Sequence, residues 1–122
     1  MKKVLLIEDD KFLVRVYAVK LKKEGFETVF LGDGVNAEEV TKKENPSVII
    51  LDMIMPNRDG FETLRGLKAD DTTKKVPVIV LTSLNTDDDK KTCMDLGASE
   101  FIQKDRVSIM QVVQVIRKYT GE

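Results

Sequence analysis

Several short strand-like runs in this chain end in residues whose side chains can do chemistry. The run at residues 4–7 is followed by Glu8, Asp9 and Asp10, that at 48–51 by Asp52, and that at 78–81 by Thr82 and Ser83. A further short run at 100–102 leads to Lys104. Carboxylates brought together repel one another at neutral pH unless a cation joins them. Oxygen donors without imidazole or thiolate favour a hard ion such as Mg²⁺. A carboxylate can also attack a phosphoryl group, with a metal and a lysine neutralising the transferring oxygens and a hydroxyl offering them a hydrogen bond. Asp52, Lys104 and Thr82 supply those residue types. Singly, each is also what a strand end needs where it meets solvent; their recurrence at successive strand ends carries the chemical reading.

What else the chain contains narrows that chemistry. No GxxxxGK loop is present to cradle nucleotide phosphates and no GxGxxG loop to bind a dinucleotide, so a phosphoryl donor must come from elsewhere. With no histidine, imidazole routes to zinc binding and general-base catalysis are closed. The single cysteine, Cys93, excludes an internal disulfide framework, sits at helical spacing from apolar neighbours and reads as packing. No signal peptide or membrane-length apolar run is found, which predicts a reducing, cytoplasmic setting and no membrane contact. The 20 basic and 21 acidic residues, a formal charge of -1, give no field to draw nucleic acid.

The elements that must position these residues follow from the apolar pattern. A length of 122 residues with 42% hydrophobic content fits one compact domain and leaves no room for a second. Strands are predicted at 4–7, 28–30, 48–51, 78–81 and 100–102, the first, third and fourth almost wholly apolar, as strands covered by helices on both faces are. Phe12, Val16, Val19 and Leu21 predict a first helix, ended by Gly25. Ala37 and Val40 mark a second that stops before Pro46, and Phe61, Leu64 and Leu67 line a third. Asp87 is expected to cap a fourth helix carrying Cys93, Met94 and Leu96 before Gly97, and Ile109, Val112, Val113 and Ile116 form the buried stripe of a fifth. Such βα repetition gives a doubly wound parallel α/β sheet that binds ligands beyond the carboxyl ends of its strands.

With these residues in this order, the whole chain, 1–122, resembles the receiver domain of two-component response regulators. The resemblance rests on the Glu8–Asp9 pair, Asp52 within LDMIMPNRDG, the LTS run with Thr82, and the GASEFIQK run with Phe101 and Lys104. It implies a flavodoxin-like (βα)5 fold with strand order 2-1-3-4-5. It implies that Asp52 is the phosphoacceptor, and that Mg²⁺ is bound by Asp9 directly, by Glu8 largely through water, by Asp52 and by the backbone carbonyl of Ile54. Thr82 then contacts the phosphoryl group, Lys104 pairs with it, and the Phe101 rotamer reports phosphorylation. Asp10 falls just outside the site and caps or precedes the first helix. The implied donor is a sensor histidine kinase, a phosphotransfer protein or a small molecule such as acetyl phosphate. The implied output is a remodelled face of helix four, strand five and helix five, including Lys90, Lys91, Met94, Asp95 and Arg106. That face would serve a downstream protein, an output domain or a phosphorylation-induced homodimer. A domain of this kind is no enzyme beyond its own phosphorylation and dephosphorylation.

The sequence departs from the family pattern in one clear respect: Lys104 is followed by Asp105, where most members have a proline joined through a cis bond. A cis bond before a non-proline residue costs about 3 kcal/mol, so a modest loop change that keeps the lysine in the pocket is expected. Ser83 is small enough to let its loop move. Ile54 and Leu84 bring apolar bulk to the site and should hinder attacking water, predicting slow self-dephosphorylation. A haloacid dehalogenase-like phosphatase would need a second aspartate two places after the nucleophile, and Ile54 stands there. A phosphorylation-independent interaction module is the other alternative, and the intact Asp9, Asp52, Thr82 and Lys104 set argues against it. A free-standing regulator and a receiver excised from a longer protein fit the residues equally.

Overall fold

A computed structural model describes residues 2–121. Among them β1 (Lys3–Ile7), β2 (Glu27–Leu31), β3 (Val48–Leu51), β4 (Val78–Thr82) and β5 (Glu100–Gln103) alternate with α1 (Lys11–Lys23), α2 (Ala37–Glu44), α3 (Gly60–Ala69), α4 (Asp87–Asp95) and α5 (Ile109–Thr120). The strands form one parallel sheet in the order β2-β1-β3-β4-β5, as expected for the doubly wound fold. β3 and β4 are buried throughout, as is β1 apart from Lys3, whereas the edge strands β2 and β5 have no fully buried residue. That contrast follows from helices covering both faces at the centre and solvent reaching the edges.

Two apolar cores result, one on each face of the sheet. Leu5, Ile7, Ile49, Leu51, Val78 and Val80 meet Ala37, Leu64, Leu67 and Cys93 on one side. Val4, Leu6, Ile50, Ile79 and Leu81 meet Tyr17, Leu21, Val112, Val113 and Ile116 on the other. Strand alternation thus divides each apolar run between the α2–α3–α4 and α1–α5 layers.

The first helix forms where expected, with a buried face its pattern did not single out, and the expected cap of the fourth needs correction. The buried side of α1 is Tyr17 and Leu21, with Leu13 and Val14 packed beside them; Phe12, Val16 and Val19 face solvent, Phe12 being 74% and Val19 70% exposed. Both sets repeat at helical spacing, so the pattern specifies a helix without choosing its inner face. The cap of α4 is Thr86, whose hydroxyl accepts from the Asp89 N–H at 3.0 Å. Asp87 instead opens the helix, where its charge and those of Asp88 and Asp89 face the positive end of the helix dipole. Asp10 caps α1 as expected, accepting from the Phe12 and Leu13 N–H groups, and Asp59 caps α3 by accepting from the Glu62 N–H.

Candidate functional site

The strand order reverses between β1 and β3, which lie side by side with Ile7 opposite Leu51. Residues leaving these strands therefore emerge together at the crevice where doubly wound sheets bind ligands. The ladder extends one residue beyond each strand: the Glu8 N–H donates to the Leu31 carbonyl at 3.0 Å and the Asp52 N–H to the Ile7 carbonyl at 3.1 Å. With their backbones fixed, Glu8, Asp9 and Asp52 each bring one carboxylate oxygen to within 4.8 Å of the others. Glu8 and Asp52 are buried, and Asp9 is exposed to approaching ligands.

Lys104 completes the cluster from the end of β5. Its Nζ lies 2.6 Å from Glu8 Oε1 and 3.0 Å from Asp52 Oδ2. Burial opposes the ammonium charge, but the bonds to Glu8 and Asp52 outweigh it and hold Lys104 above its ordinary pKa. Burial, reinforced by the Asp52 charge, pushes Glu8 up to about 7 against the bonds from Lys104 and the Asp10 N–H. Two of the three clustered carboxylates, Glu8 and Asp52, share this one ammonium, an excess of acidic oxygen that suits a hard divalent cation.

The loops around the cluster are held by local bonds. The Ile54 N–H donates to Asp52 Oδ1 at 3.3 Å, turning the chain over the carboxylate, and the Ile54 side chain stays half exposed. Thr82 is fully buried at the end of β4, and its hydroxyl accepts from the Leu84 N–H at 3.3 Å. The start of α3 presses against the end of β3, where the Gly60 N–H donates to the Met53 carbonyl at 2.9 Å. A Cβ at Gly60 would overlap the Asp52 and Met53 backbone, so only glycine allows this approach.

The remaining predicted residues divide between site and surface. Phe101 is partly buried opposite Val80 and packs against the Val78–Val80–Cys93 core, on the face that alternation also assigns to Thr82. Lys90, Lys91, Met94, Asp95 and Arg106 are all exposed, and Lys91 pairs with Asp95 at 2.8 Å. Asp105 does not displace the lysine: no cis peptide bond occurs among the described residues, and Lys104–Arg106 forms a 3-10 turn that leaves Lys104 in the cluster. Sequence reasoning missed the second tie of Lys104, to Glu8. It also missed Arg58 and Asn57, which bind the loop after Asp52 to the loop after β2. Those partners are 20 or more residues apart, and no local pattern joins them.

Comparisons with known proteins agree with this geometry. The family model described as the response regulator receiver domain matches residues 4–117. The response regulator PleD of Caulobacter vibrioides is 34% identical over 113 residues, which cover 93% of this chain and 25% of PleD. The chain thus spans about a quarter of the length of that curated relative. Among solved structures, the BeF3-activated receiver domain of Klebsiella pneumoniae RstA superposes with a TM-score of 0.90 at 28% identity, covering 99% of this chain and all of that one. The Mn²⁺-bound response regulator Rcp1 superposes at 0.84 with 31% identity, over 98% and 94% of the two chains. With its sheet order, its acidic cluster at the switch point and a family match over nearly all its length, the chain belongs to the response regulator receiver domain family.

Proposed function

We propose that this domain is a phosphorylation switch whose acceptor is Asp52. A carboxylate oxygen of Asp52 attacks the phosphorus of a phosphohistidine on a sensor kinase or phosphotransfer protein. The P–N bond breaks, the imidazole leaves and takes up a proton, and an acyl phosphate forms. Acetyl phosphate reacts by the same attack, with acetate leaving. Water later attacks the phosphorus, the bond to the Asp52 oxygen breaks, and inorganic phosphate departs. The domain therefore acts on no substrate other than its own side chain.

Each neighbour has a part in that exchange. Lys104 pairs with the phosphoryl oxygens, and the Thr82 hydroxyl donates a hydrogen bond to them. Glu8, Asp9, Asp52 and the Ile54 carbonyl would hold Mg²⁺, which when bound neutralises charge on the transferring oxygens. The observation that carries the reading is the Lys104 ammonium shared by Glu8 and Asp52 inside the carboxylate cluster. Likeness to a BeF3-activated receiver and to a Mn²⁺-bound response regulator lends it support.

Signal output follows from packing. Movement of Thr82 toward the phosphoryl group vacates space on the face it shares with Phe101, and the ring turns inward to fill it. The surface of α4, β5 and α5 changes as a result, with Lys90, Lys91, Met94, Asp95 and Arg106 meeting a downstream protein, an output domain or a second copy. On the input side, the solvent-facing Phe12, Val16 and Val19 of α1 begin soon after the Glu8–Asp9 pair and offer the phosphodonor protein an apolar seat. Incubation with acetyl phosphate and Mg²⁺, followed by intact-mass measurement, tests the acceptor. Wild type should gain one phosphoryl group and Asp52→Asn none; equal modification of the two would refute the assignment.

A further inference from the structure

The loop from Met53 to Asp59 is tied down by a side chain that the phosphoryl chemistry leaves unused. Arg58 reaches across to the segment after β2, where its guanidinium donates to Glu38 Oε1 at 2.5 Å and Oε2 at 2.9 Å and to the Gly34 carbonyl at 3.0 Å. A further bond goes to the Glu62 carbonyl at 3.3 Å, so four acceptor atoms on α2, α3 and the loop between β2 and α2 hold one side chain. The bidentate pair is the strong, directional form of an arginine–carboxylate contact. It is partly sheltered, with Arg58 and Glu38 side chains 24% and 27% exposed. Glu38 is held below the usual carboxylate range by its bond to Arg58.

Neighbouring residues are shaped around this tie. A Cβ at Gly66, in the middle of α3, would overlap both the Glu38 carboxylate and the Arg58 guanidinium. Glycine costs a helix interior roughly 1 kcal/mol relative to alanine, and here its missing side chain is the space the ion pair occupies. Asn57, the residue before Arg58, takes a left-handed φ of 70° and donates from Nδ2 to Asp33 Oδ2 at 2.8 Å, a second bond between the same two loops. The loop is thus fastened at adjacent residues, a few positions after Ile54.

We infer that Arg58 is a positioning residue for the metal and phosphoryl site. By fixing the Met53–Asp59 loop to α2, it holds the Ile54 backbone carbonyl where a divalent cation needs it, without touching cation or phosphoryl group itself. This rests on the proposed roles of Asp52 and Ile54. Groups that orient metal ligands are worth roughly 10- to 100-fold in affinity when they contact the ligand directly. Arg58 acts through the loop, so the lower end applies.

The test is Mg²⁺ affinity, read by NMR titration of amide shifts in the absence of any phosphodonor, with folding followed separately by urea denaturation. Arg58→Met should weaken Mg²⁺ binding by about 10-fold while remaining folded, and Arg58→Lys should fall between it and wild type. Glu38→Gln, which alters only the far side of the tie, should weaken binding in the same direction and serves if Arg58→Met does not fold. Asp9→Asn is the control for the site itself. Unaltered Mg²⁺ affinity in Asp9→Asn would overturn the metal site and this inference with it. Loss of affinity in Asp9→Asn, with Arg58→Met or its substitute Glu38→Gln folded and within about twofold of wild type, would overturn the positioning role alone.

Discussion

At the scale of the residue, the site is an electrostatic compromise between clustered carboxylates and one ammonium. Lys104 offsets the repulsion between Glu8 and Asp52, and in the proposed mechanism it pairs with the group attached to Asp52. Lys104→Met should slow phosphorylation by acetyl phosphate by roughly 100-fold or more, the usual effect of removing one preorganised charge-stabilising donor. Single-turnover mass spectrometry measures it, and a rate near that of wild type would remove Lys104 from the chemistry. The raised pKa of Glu8 gives a pH dependence whose sign can be worked out. A folded-state value near 7 means that Glu8 holds its proton through the range between the ordinary carboxylate value and neutrality. A metal that needs the ionised form must expel that proton. Mg²⁺ binding near pH 6 should therefore release protons, and affinity should fall as pH is lowered from 7. Titration calorimetry in two buffers of different ionisation enthalpy checks this, and buffer-independent heats would contradict it. Half-exposed Ile54 should shield the acyl phosphate from water, so Ile54→Asn should shorten its lifetime; an unchanged or longer lifetime would argue against shielding. Asp52, Glu8, Thr82 and Lys104 were legible in the sequence because each directly follows or ends a strand. The second bond of Lys104 was not, because it depends on which strand ends the sheet order brings together.

At the scale of the element, the strands were more legible than the helix faces. A buried central strand is apolar on both sides and needs no decision about orientation, so β1, β3 and β4 were found nearly to the residue. α1 presents two apolar stripes of equal period, and tertiary packing selects the one with Tyr17 and Leu21. That choice has measurable consequences. Leu21→Ala should cost about 2–5 kcal/mol in urea unfolding, whereas Phe12→Ser, at an exposed position, should stay within about 0.5 kcal/mol of wild type. If the outer stripe seats the donor, Phe12→Ser should also slow transfer from a phosphorylated kinase or phosphotransfer protein and leave the acetyl phosphate reaction unchanged. Equal effects on both donors would count against docking there. The Lys104–Asp105 junction teaches a similar lesson, since the short 3-10 turn delivers the lysine without proline or a cis bond.

At the scale of the whole molecule, the parallel sheet gathers residues from distant parts of the chain at the carboxyl ends of its strands. No helix among the described residues is long and apolar enough to cross a membrane, and the family relation implies a histidine kinase or phosphotransfer partner. The sequence made the fold readable because local propensity, apolar rhythm and turn chemistry agree along the chain. The cross-loop ties of Arg58 and Asn57 lay beyond it, since they join segments that only the folded topology makes neighbours. The central claim is that phosphorylation at Asp52 is relayed through Thr82 to Phe101. The most direct measurement is the NMR signal of the Phe101 ring on adding beryllofluoride with Mg²⁺. Wild type should show a new ring environment, Thr82→Ala should bind beryllofluoride with little response at Phe101, and Asp52→Asn should show neither binding nor response. A ring that responds equally in wild type and Asp52→Asn, or stays unchanged in wild type with beryllofluoride bound, would contradict the account.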